Sequence, residues 1–220
     1  MKENSVFDRI YRDYLERISA LDSVSIKGRL GLTLKEGQLI VPFFGIPYRI
    51  SREGIIDDQG NRPSHDVSVV LCKYLLMCPE EEPSEFAWVT YKDFKDAAPF
   101  VEGFTNNVEK AISQKFSGKL SLLRSACSAL KGLPTELGIS YDLCVRFEAL
   151  PKIPLLPLFN DEDEEFPAQC SLLFERRAGK YLDMECLAIL GMVLSRGLIR
   201  HSDKQNSENM EVCHEDMHMR

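Results

Sequence analysis

Ile153-Pro154-Leu155-Leu156-Pro157-Leu158-Phe159, then Asn160-Asp161-Glu162-Asp163-Glu164-Glu165, then Phe166-Pro167-Ala168-Gln169-Cys170-Ser171-Leu172-Leu173-Phe174, is the stretch that decides the fold. Two apolar runs of strand length flank an acidic knot, the pattern of two strands joined by a charged loop. A calcium loop needs spaced oxygen ligands with a glycine at the bend and a later glutamate. Asp161 to Glu165 has neither that glycine nor that register, so it reads as a solvated hairpin loop.

The segments around this stretch extend the same reading. Tyr141 to Ala149 alternates Tyr141, Leu143, Val145 and Phe147 with Asp142, Cys144, Arg146 and Glu148, a half-buried strand. Gly103 to Leu130 carries apolar residues at helical spacing, interrupted at Phe116-Ser117-Gly118-Lys119 and ended by Gly132-Leu133-Pro134. A further helix is expected from Asp183 to about Leu198.

Toward the N-terminus, Ser5 to Leu21 predicts an amphipathic helix and Ser25 to Leu34, with Ile26, Leu30, Leu32 and Leu34, a strand. Glu36-Gly37 is a turn, followed by a strand over Gln38 to Phe44 and short ones at Tyr48 to Ser51 and Ile55-Ile56, an antiparallel meander. Pro63-Ser64 opens a helix from about His65 to Met77, and Trp88 to Tyr91 is a short strand.

The fold class is therefore α+β, mainly antiparallel sheet with packed helices. A single domain is expected over residues 1–200, followed by a disordered polar tail over 201–220. Helix, strands, helix occurs twice, over Ser5 to Met77 and Gly103 to Leu198, the order of a pseudo-repeat without residue-level identity to support duplication.

A hydrophobic fraction of 44% and a charged fraction of 28% are those of an ordinary globular chain. A net charge of −7 argues against a sequence-independent nucleic-acid binder, which neutralises phosphates with clustered Lys and Arg. No apolar run approaches the roughly 20 residues of a membrane span, and the N-terminus shows no signal-peptide core. Seven cysteines without a C-x-x-C pair read as reduced thiols in a cytoplasmic protein, most of them in apolar segments.

Candidate chemistry is sparse. Arg176-Arg177-Ala178-Gly179-Lys180-Tyr181 is the one compact basic-aromatic cluster, placing Arg176, Arg177, Lys180 and Tyr181 in a loop that could bind a ligand or form a solvated turn. In the tail, Cys213, His214 and His218 gather soft donors, with both imidazoles on one helix face, but only part of a closed metal set is visible. His65 at a helix start and His201 past a helix end have ordinary structural explanations. No phosphate-binding loop, dinucleotide fingerprint or zinc-protease motif occurs.

The second half resembles an uncharacterised prokaryotic family described as domain of unknown function 3786. The matching residues are Pro154-Leu155-Leu156-Pro157, Glu164-Glu165-Phe166-Pro167-Ala168, Leu172-Leu173-Phe174, Tyr181-Leu182 and Leu187-Ala188-Ile189-Leu190-Gly191. Trp88-Val89, Phe100 and Phe44-Gly45-Ile46-Pro47-Tyr48 extend the likeness over residues 5 to 198. The resemblance brings no catalytic residues. Fusion of some relatives to iron–sulfur-cluster domains implies an accessory role beside a redox, corrinoid or iron–sulfur enzyme, although this chain lacks such cysteine spacing.

Three functions stay open from sequence. They are a non-catalytic binding module for a small ligand or partner protein, the accessory role, and an enzyme with an unrecognised site. Cofactor and oligomeric state are left unspecified.

Overall fold

The computed structural model describes residues 6–138 and 140–218, with side chains described except at 206 and from 208 onward. The chain forms two compact units, one of residues 1–100, 148–155 and 173–190, the other of residues 101–147, 156–172 and 191–220.

The first unit opens with α1 (Val6–Ser19), α2 (Ser23–Leu30) and four strands, β1 (Thr33–Lys35), β2 (Gln38–Phe43), β3 (Ile46–Ser51) and β4 (Gly54–Asp57). The strands form an antiparallel meander in sequence order. Two of its hairpins turn on two residues that both have positive φ, Glu36-Gly37 at 52° and 76° and Phe44-Gly45 at 46° and 74°. That geometry matches the right-handed strand twist and fixes the registers Lys35 to Gln38 and Phe43 to Ile46.

The strand expected over Ser25 to Leu34 is corrected by the structure, which puts helix α2 over most of it. Alternation was the wrong period there. Asp22 caps the helix by accepting from the Val24 and Ser25 amides at 3.0 and 3.3 Å, and Gly31 closes it at φ 67°. Ile26 and Leu30, four apart, then share one buried face.

Helix α3 (His65–Leu76) starts on the Ser64 cap, whose hydroxyl accepts from the Val67 amide. His65 stacks on Phe7 with ring centroids 3.7 Å apart, and the Tyr11 hydroxyl accepts from the Ile55 amide, so α1 is fastened to both α3 and β4. Strand β5 (Trp88–Thr90) pairs antiparallel with β9 (Gln169–Glu175), Val89 opposite Phe174.

The second unit contains α4 (Val101–Phe104), a π-helical turn Thr105–Glu109, α5 (Lys110–Phe116) and α6 (Leu120–Ala129). Strands β6 (Leu133–Pro134), β7 (Leu143–Leu150) and β8 (Ile153–Asn160) complete a second sheet of order β5-β9-β8-β7-β6. The expected α+β class with antiparallel sheets is what the chain adopts.

Ile153 through Phe159 are all buried, so the first apolar run is an interior strand. The final helix, α7 (Met184–His218), continues past the expected end near Leu198. Ser202 is buried and Lys115 pairs with Asp203 at 2.5 Å, so the first residues of the expected disordered tail are packed helix. No described helix is long and apolar enough to cross a membrane.

Candidate functional site

The basic-aromatic cluster is divided by its own local geometry. Arg176–Lys180 form a 3₁₀ turn capped by Tyr181, which sends successive side chains to different faces. Arg176 and Lys180 are exposed, whereas Arg177 and Tyr181 are 8% and 1% accessible. Arg177 Nε donates to Glu175 Oε2 at 2.5 Å and Nη1 to Glu82 Oε1 at 3.5 Å, and its guanidinium lies 4.3 Å over the Phe86 ring.

Glu82 in turn accepts from Lys152 Nζ at 2.6 Å, and the Lys152 amide donates to the Tyr74 hydroxyl. The Tyr181 ring sits 6.2 Å from that of Tyr74, its own hydroxyl buried without a hydrogen-bond partner. Arg177 is thus engaged by two carboxylates, and the four residues do not converge on one surface. Arg177, with Glu175, Glu82 and Lys152, forms a polar network beside the 3₁₀ turn.

A separate ion pair in the same unit joins Lys73 to Asp183. Asp183 caps α7 by accepting from the Cys186 amide at 2.9 Å. Burial works against ionisation of Asp183, but the Lys73 and Cys186 hydrogen bonds prevail and hold its carboxyl below the usual range. Burial, with Asp183 close by, pushes the Cys186 thiol well up.

The acidic knot is also spoken for. Asp161 Oδ1 accepts from the Gly118 amide at 2.7 Å and from Glu162, while the Ser117 hydroxyl donates to Glu162 Oε2 at 2.7 Å. Asp163 accepts from the Glu165 and Phe166 amides, closing the loop on itself. The Asp161 and Glu162 carboxylates lie just before α6, where a helix N-terminus favours negative charge. This is the hairpin loop expected between β8 and β9. Among the described residues no group of His, Cys, Asp or Glu could hold a metal. The side chains of Cys213, His214 and His218 lie outside the described residues.

The concavity that sequence did not reveal lies in the second unit, between the C-terminal end of α6, β6 and the start of β7. It is a cleft of about 610 Å³ whose polar lining includes Arg124, Ser128, Thr135, Glu136 and Tyr141. Its apolar wall is made by Cys127, Leu143, Cys144 and Val145.

The cleft exists because α6 ends on a two-bond cap. The Lys131 amide donates to Ser128 O at 2.9 Å and the Gly132 amide to Cys127 O at 2.8 Å, with Lys131 at φ 61°. Gly132 then passes flat against β7, where a Cβ would come within 2.5 Å of Val145 and 2.7 Å of Phe147. Leu133 and Pro134 pair with Arg146 and Val145, and the chain loops away to return at Tyr141.

Burial pushes the Cys127 thiol up to about 12 and also raises that of Cys144, so both walls are neutral sulfhydryls at physiological pH. Arg124 donates one Nη to the Asp142 carbonyl, and Asp142 accepts from the Asp161 amide at 2.7 Å. Residues separated by up to 21 positions contribute, with no contiguous motif to announce them.

Comparison with known proteins agrees with the likeness seen in the strand–loop–strand region. Neither the curated proteins nor the solved structures contain a match. A family model described as a domain of unknown function (DUF3786) matches residues 22–197, and with four-fifths of its length covered the chain belongs to that family.

Proposed function

We propose that this protein is a non-catalytic binding module for a small ligand, and that the α6–β6–β7 cleft is where the ligand sits. The observation that carries the reading is the cleft itself, about 610 Å³, within the range of small-molecule sites. It combines an apolar wall with a few polar groups, the composition that fixes orientation while supplying affinity through burial.

Its chemistry favours holding over reacting. The thiols of Cys127 and Cys144 are held protonated, away from the thiolate that nucleophilic catalysis uses. A reducing, cytoplasmic setting is part of the proposal, supported by six described cysteines that are all free.

Thermal unfolding across a metabolite panel tests it, using the wild type and Ser128→Trp, which fills the cleft from an exposed helical position. A ligand at a hundred times its Kd adds about 2.7 kcal/mol. For a chain of this size that raises Tm by about 5–10 °C. The shift should vanish in Ser128→Trp; no shift across the panel, or one that survives filling, would overturn the assignment.

A further inference from the structure

The charges of the cleft specify more than its size. Arg124 and Ser128 stand one turn apart on α6, and Glu136 lies on the loop after β6. Arg124 spends one of its five N–H donors on the Asp142 carbonyl, leaving the rest of the guanidinium for another acceptor. Asp142, the other carboxylate of the lining, has an oxygen taken by the Asp161 amide. Thr135 is engaged twice, its hydroxyl donating to Leu133 O and its amide to Cys144 O.

Glu136 has no ion pair among the described residues, and none joins it to Arg124. One cation, Arg124, and two carboxylates, Glu136 and the amide-bonded Asp142, therefore line a single concavity with no ion pair between Arg124 and Glu136, and neutral apolar groups, Cys127, Leu143, Cys144 and Val145, lie in the same lining.

Building on the binding reading, we infer that the cleft takes a small zwitterion with an apolar body, its carboxylate on Arg124 and its ammonium on Glu136. A free amino acid with an aliphatic side chain has this chemistry. A planar guanidinium suits a carboxylate, and a carboxylate suits an ammonium. The Ser128 and Tyr141 hydroxyls add adaptable partners.

Isothermal titration of the full chain with the twenty amino acids, leucinamide and N-acetylleucine decides the point. Leucinamide keeps the ammonium and lacks the carboxylate; N-acetylleucine is the reverse. Aliphatic amino acids should bind, with each capped form at least tenfold weaker. Arg124→Gln should abolish discrimination against the amide, and Glu136→Gln discrimination against the N-acetyl form.

Capped forms binding as well as leucine, or no amino acid binding, would overturn the inference. In the second case, another panel ligand blocked by Ser128→Trp would leave the cleft's binding role standing. Silence across both panels would remove the two together.

Discussion

Gly132→Ala and Lys131→Gly, adjacent substitutions of opposite sense, should move stability in opposite directions. The residue with left-handed backbone is Lys131, at φ 61°, while Gly132 is the one pressed against β7. A Cβ on Gly132 would meet Val145 Cγ1 at 2.5 Å and the Phe147 ring at 2.7 and 2.8 Å, well inside contact distance for carbon. Phe147 is 1% accessible, so its ring has little room to yield.

Overpacking of this kind costs about 1–3 kcal/mol, and the reduced freedom of unfolded alanine returns about 0.4–1. The net for Gly132→Ala is up to about 2.5 kcal/mol of destabilisation, centred on about 1.5. Lys131→Gly relieves a left-handed penalty of about 1–2 kcal/mol and surrenders about 0.5–1 through a freer unfolded chain, leaving a gain of up to about 1.5. Far-UV circular dichroism through a urea titration reads both. With a slope near 3 kcal/mol per molar, Gly132→Ala should lower the midpoint by about 0.5 M. Lys131→Gly should leave it unchanged or raised. A midpoint for Gly132→Ala at or above wild type, or equal losses for both, would refute the separation of the two demands.

Arg177→Ala strands the buried Glu175 carboxylate and should cost about 3–5 kcal/mol, seen as a Tm fall of about 10 °C, whereas Arg177→Met with Glu175→Gln should recover most of it. Tyr181→Phe removes a buried hydroxyl without a partner and should be neutral or stabilising by up to about 1 kcal/mol in urea titrations. Tyr74→Phe, which deprives the Lys152 amide of its acceptor, should instead cost about 1 kcal/mol.

The Asp183 carboxyl is held below its usual range, so its contribution is present above the unfolded pKa and is lost as pH falls through the folded one. Asp183→Asn should therefore flatten the acid limb of a stability–pH profile measured between about pH 2 and 6. The raised Lys73 works at the other end, present below the unfolded lysine pKa and lost as pH rises through the folded value.

What could be read from the chain was whatever local chemistry decides. Glu36-Gly37 named a hairpin, Ser64 a helix start, and the acidic run a loop, because turns and caps act within a few residues. Ser25 to Leu34 misled because Ile26, Leu30, Leu32 and Leu34 satisfy period two and period four at once, and the Asp22 cap decides between them.

Composition made Arg176 to Tyr181 look like one patch. Its division depends on Glu82, Glu175 and Phe86, distant in sequence or unremarkable beside it. Gly132 read only as a helix terminator, and its contact with Val145 and Phe147 belongs to tertiary packing. The cleft is invisible for the same reason, its lining drawn from the end of one helix, a loop and a strand.

Strand β8 lies between two neighbours yet carries Pro154 and Pro157. Successive residues of a strand direct their amides to alternate sides, so prolines three apart each withhold one donor, one from either flank. Interior strands ordinarily exclude proline. An apolar run such as Ile153 to Phe159 without them would meet every requirement of a segment that stacks into cross-β fibrils when exposed on a nascent or partly unfolded chain. The two rings make such stacking self-terminating in either direction. The native sheet is slightly weaker for them, and the chain is safer on its way there.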